Sequence, residues 1–174
     1  MKQKSKFSII IPTYNRGMIA LNTLQALEDQ TSGEFIVIVI DQSSTVLSDL
    51  QKFKSINYEY KYVHIDVPSL PNARNIGIEH VSTPYAIFLD DDCVPDDGLV
   101  EAYTTIFQSL DPKIVLVAGR VIEEGSNIFR ERADLVGGYV TIYGKTLKNF
   151  DTEQSGICEW APGGNFCVRT EAYR

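Results

Sequence analysis

The sequence predicts an α/β fold: an open sheet, mainly parallel, with helices packed on it. Short, continuous apolar runs rich in β-branched residues alternate along the chain with segments of helical periodicity. Runs of this kind are typical of strands that are buried on both faces, which is the usual situation in parallel sheets. A strand followed by a helix, repeated along the chain, implies right-handed crossovers between parallel neighbours.

Four apolar runs are the predicted strands: FSIII (7–11), FIVIVI (35–40), YAIFL (85–89) and IVLVAG (114–119). Beyond residue 120 the pattern loosens. Residues 121–157 are expected to be rich in loops, with an isolated β-like stretch YVTIYG at 139–144. The segment CEWAPGGNFCVR (158–169) predicts a strand, a turn at Gly163 and Gly164, and a second short strand.

Three segments between the strands have helical periodicity, at 15–30, 69–81 and 95–110. Ser69 is a suitable N-cap for the second, and Pro71 fits its first turn. Asp96 and Asp97 suit the N-terminus of the third, as capping or dipole residues. The apolar faces are predicted at Ala20, Leu21, Leu24 and Leu27; at Ala73, Ile76, Gly77 and His80; and at Leu99, Tyr103, Ile106 and Phe107.

Composition narrows the class of protein. At 174 residues, with 44% hydrophobic and 22% charged residues, the chain is expected to fold as one globular domain. A formal charge of −7 argues against a nucleic-acid partner, since nucleic acids attract an excess of Lys and Arg. The three cysteines form no C-x-x-C pair, which favours a reducing compartment. With no secretory leader or run long enough for a transmembrane segment, we expect a cytoplasmic chain whose only membrane association would be peripheral.

Polar residues follow the predicted strands at the point where each strand ends. In a parallel sheet these ends share one edge, and ligands bind in the crevice outside it. We therefore expect the following side chains to converge there. They are Pro12, Thr13, Tyr14 and Asn15 after the first strand, Asp41 after the second, Asp90, Asp91 and Asp92 after YAIFL, and Arg74 in the first turn of the second helix.

Three consecutive aspartates directly after a buried strand suggest a ligand site. The sequence between Arg74 and Lys113 contains no Lys or Arg, so the repulsion among the carboxylates calls for a positive charge from elsewhere. A divalent cation, Mn²⁺ or Mg²⁺, would supply it, because Mg²⁺ commonly takes one or two carboxylates together with substrate phosphates and water. The Asp-x-Asp spacing lets Asp90 and Asp92 point the same way. The alternative is a solvated acidic turn.

Other candidates have plain structural interpretations as well. Asp41 could simply open a turn with Ser43 and Ser44. The stem of Arg74 could merely cover its helix. His64 and His80 have no metal-ligand spacing and are interpreted as structural. Trp160 is either a core residue or part of a loop that a substrate approaches.

Five elements, in this order, resemble the nucleotide-diphosphosugar glycosyltransferases of family 2, which have the GT-A fold. These elements are FSIIIPTYNR, VIVIDQSS, LPNARNIGI, FLDDDCVP and APGGNFCVR, and they cover about 7–169. The resemblance implies a Rossmann-like mixed sheet, a nucleotide-diphosphosugar donor, and a saccharide or lipid-linked acceptor in cell-surface polysaccharide or glycoconjugate synthesis.

The resemblance also implies a role for each site residue. Thr13 and Tyr14 would line the nucleotide pocket, Asp41 would hydrogen-bond the base, and Arg74 would assist the base or the phosphates. Asp90 and Asp91 would contact the ribose or the sugar, Asp90 being a second candidate metal ligand beside Asp92, which would hold the cation on the diphosphate. Gly163, Gly164 and Asn165, with Trp160, would border the donor sugar and the acceptor.

The implied reaction is a single inverting displacement, with a carboxylate base that deprotonates the acceptor hydroxyl. Family members usually supply this base a few tens of residues beyond the Gly-Gly strand, so we expect it beyond Arg174. We expect an incomplete catalytic domain, in which residues 1–120 form the nucleotide-sugar-binding half and residues 121–174 begin the acceptor half. Such a domain would bind the donor but transfer the sugar slowly or not at all. Gln42 stands where a second Asp is common in the family, so the sequence departs from the family pattern next to Asp41, the residue expected to contact the nucleobase.

Two other functions fit parts of the sequence. The stretch IFLDDDCV (87–94) matches the nucleophile motif of haloacid-dehalogenase-like phosphatases, in which Asp90 would be phosphorylated and Asp92 would act as acid and base. The residues that follow hold no convincing counterpart to that family's other motifs. A non-catalytic nucleotide-sugar-binding domain is the second alternative.

Overall fold

The structure, a computed structural model, describes residues 5–32, 34–123 and 136–173. Its helices are α1 (Gly17–Ala26), α2 (Ser48–Lys52), α3 (Leu70–Glu79), α4 (Leu99–Ser109) and α5 (Thr170–Tyr173), with a 3₁₀ turn at Leu27–Asp29. Its strands are β1 (Phe7–Thr13), β2 (Phe35–Asp41), β3 (Glu59–His64), β4 (Tyr85–Leu89), β5 (Leu116–Ala118), β6 (Gly137–Val140), β7 (Thr146–Asn149) and β8 (Asn165–Arg169).

The main sheet has six strands in the order β3-β2-β1-β4-β8-β5. The first four are parallel, whereas β8 runs antiparallel to both β4 and β5. The predicted α/β class, with an open mixed sheet that is mainly parallel, is therefore confirmed. Strand β8 lies inside this sheet, so a segment from beyond residue 120 completes the sheet that the earlier residues begin.

The central strands are continuous apolar runs because both of their faces are covered. Alternate residues of β1 face two separate cores: Ile9 and Ile11 pack with α1 and α4 residues, and Ile10 packs with α3 residues. Fully burying each such side chain contributes roughly 1.5–3 kcal/mol. Helix α3 approaches β1 closely at Gly77, where an added Cβ would lie 2.4 Å from Ile10 Cγ2, so only glycine fits without a shift.

The three predicted helices are present as α1, α3 and α4, with shifted ends, whereas the short helices α2 and α5 were not predicted. Helix α3 begins after Ser69, whose hydroxyl accepts a hydrogen bond from the Asn72 N–H, and Pro71 lies in its first turn. The predicted buried face of α3 is wrong at His80, which is the exposed C-cap; Ile78 is buried instead. Of the predicted capping or dipole role of Asp96 and Asp97, the capping part is wrong: Gly98 is the N-cap of α4, and the Asp96 side chain closes the preceding turn by accepting from the Gly98 N–H. Both aspartates precede the helix N-terminus, where the dipole role stays a prediction.

The strand predictions differ from the structure mainly at the margins of the sheet. Strand β3 was not predicted, and IVLVAG yields only the three residues of β5, an antiparallel edge strand rather than a doubly buried one. YVTIYG contributes only Tyr139 and Val140 to β6, which pairs with β7 in a separate two-stranded sheet. The first part of 158–169 makes only an isolated bridge from Trp160 to Gly138, while the turn at Gly163 is present.

Two further observations bear on the setting of the site. No helix among residues 5–32, 34–123 and 136–173 combines the length and the apolar character needed to cross a membrane. Aromatic packing joins β4 to β8: the rings of Phe88 and Phe166 stack with centroids 4.6 Å apart. This contact fixes the end of β4, where the three aspartates begin, against the strand that follows Gly163 and Gly164.

Candidate active site

A cavity of about 460 Å³ opens at the carboxyl ends of β1 and β4. Parallel strands bring their ends to this edge, which is the position the sequence predicted for a ligand. Six predicted residues line it, namely Pro12, Thr13, Tyr14, Asp90, Asp91 and Asp92. Five further lining residues were not predicted, namely Arg16, Gln42, Pro68, Ser69 and Leu70.

Asp91 is the buried member of the aspartate cluster. Its Oδ2 accepts a 2.6 Å hydrogen bond from the Thr13 hydroxyl, and its Oδ1 lies 3.2 Å from Arg16 Nη1. The Thr23 hydroxyl donates to its backbone carbonyl at 2.7 Å. These contacts fix Asp91 between β1 and α1, so its carboxylate forms part of the cavity wall.

Asp90 lies on the opposite side of the cluster and pairs with a different cation. Arg74 Nη2 donates to Asp90 Oδ1 at 3.2 Å. Burial raises the pKa of Asp90, and the neighbouring charges of Asp92 and Asp91 act in the same direction, while Arg74 opposes them without cancelling the rise. Asp90 therefore carries an unfavourable charge that a cationic ligand would relieve.

Asp92 is the most accessible of the three carboxylates. Its side chain is 57% exposed, and its Oδ2 lies 3.3 Å from the same Arg16 Nη1 that contacts Asp91. The expectation that the cluster lacks a nearby cation holds only along the chain. In space, Arg16 and Arg74 both reach it, because β1 ends and α3 begins at the edge where β4 ends.

The turn at Gly163 and Gly164 lies against this cluster. The Gly163 carbonyl accepts a hydrogen bond from Arg74 Nη2 at 3.2 Å. A Cβ on Gly163 would lie 2.7 Å from that nitrogen, and one on Gly164 would lie 3.2 Å from Asp90 Oδ2. A side chain at Gly163 would therefore force the Arg74 guanidinium to shift, and one at Gly164 would press on the Asp90 carboxylate.

The other two predicted residues of this segment contact protein rather than the cavity. Asn165 accepts from the Tyr103 hydroxyl at 2.7 Å and donates to the Arg120 carbonyl at 3.1 Å. Trp160 packs edge-on against Phe150 and donates to the Tyr139 carbonyl, so it covers the two-stranded sheet. In this arrangement both side chains have structural partners.

Asp41 is fully buried at the end of β2. Its carboxylate accepts from the backbone N–H groups of Ser43 and Leu47 at 2.9 and 3.1 Å, and from the Tyr62 hydroxyl at 2.5 Å. Burial by itself would raise the pKa of Asp41, but the hydrogen bonds from Ser43, Tyr62 and Leu47 outweigh it, and the pKa is lowered. The geometry matches the turn-opening interpretation.

Replacing Asp41 with asparagine should therefore lower the free energy of unfolding at neutral pH by about 1–3 kcal/mol, because an amide NH₂ would face N–H or O–H donors. Because the pKa of Asp41 is lower in the folded protein, its carboxylate stabilises the fold fully at pH values above 3.8, the ordinary pKa of the group. This stabilisation is lost as the pH falls through the folded-state pKa. Urea unfolding from pH 7 to pH 3 should show the difference between variant and parent shrinking.

Tyr62→Phe is the matched control for Asp41→Asn. It removes one of the three hydrogen bonds to the carboxylate and should cost about 1 kcal/mol. An Asp41→Asn variant as stable as the parent at pH 7 would show that these hydrogen bonds contribute nothing net.

Four more residues near the site have defined positions. Asn15 adopts a φ of 55° and donates its backbone N–H to the Ser43 hydroxyl, joining the loop after β1 to the loop after β2. Gln42 accepts from the Ser69 N–H at 2.8 Å, which ties that loop to the start of α3. The His64 Nε2 lies 2.8 Å from the Ser43 carbonyl oxygen, in keeping with a structural histidine. Burial raises the pKa of the Cys93 thiol to about 11, so it is a neutral donor to the Gly164 carbonyl.

The donor set at the cavity suits one kind of metal site. Within the described ranges, no group of three or more His, Cys, Asp or Glu side chains is arranged to hold a metal ion. Asp90 and Asp92 offer carboxylate oxygens, which Mg²⁺ and Mn²⁺ prefer, and both are partly exposed. The residues therefore fit a cation that completes its shell with substrate phosphates and water, and they do not fit an all-protein cage.

Comparison with known proteins identifies relatives across nearly the whole chain. Residues 8–170 match the family described as Glycosyl transferase family 2. The chain is 29% identical over 134 residues to the GalNAc(5)-diNAcBac-PP-undecaprenol beta-1,3-glucosyltransferase of Campylobacter jejuni, covering 72% of this chain and 41% of that protein. It is 34% identical over 130 residues to chondroitin synthase of Pasteurella multocida, covering 72% of this chain and 13% of that protein. The chain thus spans less than half the length of these relatives.

Solved structures share the fold. S. aureus TarS, residues 1–349, matches with a TM-score of 0.65 and 20% identity, covering 95% of this chain and 47% of that one. The mannosyltransferase PcManGT from Pyrobaculum calidifontis, in complex with GDP-Man and Mn²⁺, matches with a TM-score of 0.58 and 19% identity, covering 68% of this chain and 36% of that one. The predicted GT-A fold is confirmed by these likenesses.

Proposed function

The chain belongs to glycosyl transferase family 2, and we propose that its cavity binds a nucleotide-diphosphosugar whose glycosyl group is transferred to an acceptor hydroxyl. The observation that carries the proposal is the convergence of the β1 end, the Asp90–Asp92 cluster and the Gly163–Gly164 turn on one crevice. Family membership removes the phosphatase alternative, in which Asp90 would be the nucleophile.

The nucleotide occupies the part of the cavity that the β1 end lines. Pro12 and Thr13 form its buried wall, while Tyr14 is half-exposed and offers a ring against which a base or ribose packs. The hydrogen bond from the Ser69 N–H to Gln42 joins the loop after β2 to the start of α3 and closes the same side. Asp41 and Arg74 act from behind this surface, since neither is among the residues that line the cavity.

The diphosphate lies at the aspartate cluster. Mn²⁺ or Mg²⁺ at Asp92, with Asp90 beside it, would stabilise the charge that develops on the leaving nucleoside diphosphate. Asp91 keeps Thr13 in place through a 2.6 Å hydrogen bond and also accepts from Arg16. The raised pKa of Asp90 is consistent with a site that favours added positive charge.

The sugar end of the donor points toward Gly163 and Gly164, where the absence of side chains lets a substrate approach the Arg74–Asp90 pair. Trp160 precedes this turn and Asn165 follows it, and each is held by its own contact, Trp160 with Phe150 and Asn165 with Tyr103. Displacement at the anomeric carbon then proceeds with inversion. The general base is not assigned to a residue within 1–174; the resemblance expects it a few tens of residues beyond the Gly-Gly turn.

The acceptor class is also a proposal. The Campylobacter relative is named for a glycan linked to undecaprenol, and the Pasteurella relative is a chondroitin synthase. On that basis we propose a saccharide or lipid-linked acceptor in polysaccharide or glycoconjugate synthesis. A lipid-linked acceptor would bring the chain to a membrane surface as a peripheral protein. Within the catalytic domain, residues 1–120 would contact the donor, and 121–174 would begin the acceptor side.

Hydrogen–deuterium exchange with a nucleoside diphosphate and Mn²⁺ tests where the donor binds. We expect slower exchange in peptides that contain 12–16, 42–43 and 90–93, with no change in β6 and β7. Protection confined to other segments would contradict the assignment of the cavity. Donor binding without any glycosyl transfer, in a chain that extends a few tens of residues beyond Arg174, would favour the non-catalytic alternative.

A further inference from the structure

Arg16 lies in the aspartate cluster and contacts Asp92, the carboxylate proposed to hold the cation. A single guanidinium nitrogen, Nη1, lies 3.2 Å from Asp91 Oδ1 and 3.3 Å from Asp92 Oδ2. Arg16 is the N-cap residue of α1 and lines the cavity, and its side chain is 52% exposed. The positive charge that the cluster requires is therefore supplied by the protein itself.

The second arginine at the cluster is held differently. Arg74 is only 21% exposed and is fixed between Asp90 and the Gly163 carbonyl, so it joins two parts of the fold. Among the residues that the structure describes, the Arg16 side chain contacts only the carboxylates of Asp91 and Asp92, both through Nη1, and Arg16 also lines the cavity. Of the two, Arg16 is the cation that can exchange one partner for another.

We propose that Arg16 is the resident counter-ion of Asp91 and Asp92, and that it couples entry of the divalent cation to entry of the nucleotide. This inference rests on the proposed function. A guanidinium that contacts Asp92 repels a metal ion by its charge and engages the carboxylate that would bind the ion. A diphosphate offers Arg16 a stronger, bidentate partner, so a bound nucleotide draws Arg16 away and frees Asp92.

The consequence is thermodynamic coupling in both directions. If the nucleotide strengthens metal binding, the metal must strengthen nucleotide binding by the same factor. The parent protein should bind metal weakly when no nucleotide is present. Removing the guanidinium should make metal binding by itself tighter and should make the coupling smaller.

The test is a titration of Mn²⁺ alone, followed by calorimetry or by the electron paramagnetic resonance of free Mn²⁺, on the parent and on Arg16→Gln. We expect Arg16→Gln to bind Mn²⁺ about two- to fivefold more tightly, as befits the loss of a partly exposed ion pair. Lys113→Gln is the control for net charge: Lys113 is exposed and lies in the loop beyond the C-terminus of α4, so its neutralisation should leave the affinity unchanged.

A second set of titrations adds uridine or guanosine diphosphate at saturation. The nucleotide should tighten Mn²⁺ binding in the parent by a larger factor than in Arg16→Gln. Unchanged Mn²⁺ affinity in Arg16→Gln, in a protein whose parent binds nucleotide with Mn²⁺, would overturn the role of Arg16 and leave the proposed function intact. If neither nucleotide binds the parent under any condition, the proposed function fails, and this inference fails with it.

Discussion

Replacing Asp92 with alanine should reduce Mn²⁺-dependent binding of a nucleoside diphosphate at least about tenfold, and up to a hundredfold, because the cation loses its most accessible carboxylate. The fold should be unaffected. Asp92 is 57% exposed, and its described side-chain contact is with Arg16, itself half-exposed, so little stability depends on it.

The Asp92 prediction has a matched control, and it also predicts that some metal-independent binding remains. Asp97→Ala removes an exposed carboxylate five positions further along the chain and should leave nucleotide affinity unchanged. In Asp92→Ala, metal-independent binding should persist, since Arg16 remains to meet the diphosphate. Equal affinities for the Asp92→Ala and parent proteins in Mn²⁺, measured by calorimetry, would place the cation elsewhere.

Replacing Phe88 with alanine should have the largest effect on stability, about 3–5 kcal/mol of the free energy of unfolding. Phe88 is fully buried in β4. Its ring stacks on that of Phe166 in β8, with the centroids 4.6 Å apart, and lies tilted beside the ring of Tyr173, with the centroids 5.6 Å apart. The cost has two parts, the cavity left by the ring and the loss of an aromatic pair worth roughly 0.5–1.5 kcal/mol.

The same substitution should also weaken the site. Phe88 lies two positions before Asp90, and its partner strand begins directly after Gly164, so the stack holds the cluster against the glycine turn. Urea unfolding measures the first effect, and nucleotide affinity under native conditions measures the second. Phe88→Leu, which keeps most of the volume, should lose distinctly less. A cost below about 1 kcal/mol for Phe88→Ala would contradict the packing described here.

The sequence predicts the centre of the sheet well and its margins poorly. Strands β1, β2 and β4 are buried on both faces, so their sequences are continuous apolar runs that can be recognised directly. Strand β3 lies at an edge, is only partly buried, and mixes charged residues with tyrosines. Its strand conformation comes from pairing with β2, a tertiary contact that no local pattern reports.

Convergence of the site was predictable, but the partners of its charges were not. Parallel topology brings strand ends together whatever the residues are, which is why Thr13 and Asp91 meet. The choice of Arg16 as the counter-ion depends on a side chain 75 residues away along the chain. Likewise, the engagement of Asp41 by Tyr62 depends on β3, the strand that the sequence did not predict.

Calorimetric titration of uridine, guanosine and deoxythymidine diphosphates into this chain, once with Mn²⁺ and once with EDTA, tests the central claim most directly. The account predicts that at least one nucleotide binds with Mn²⁺ and binds clearly more weakly in EDTA, because the aspartates at the end of β4 hold the cation on the diphosphate. Absence of binding by all three under both conditions would contradict the claim that this crevice is a nucleotide-sugar site.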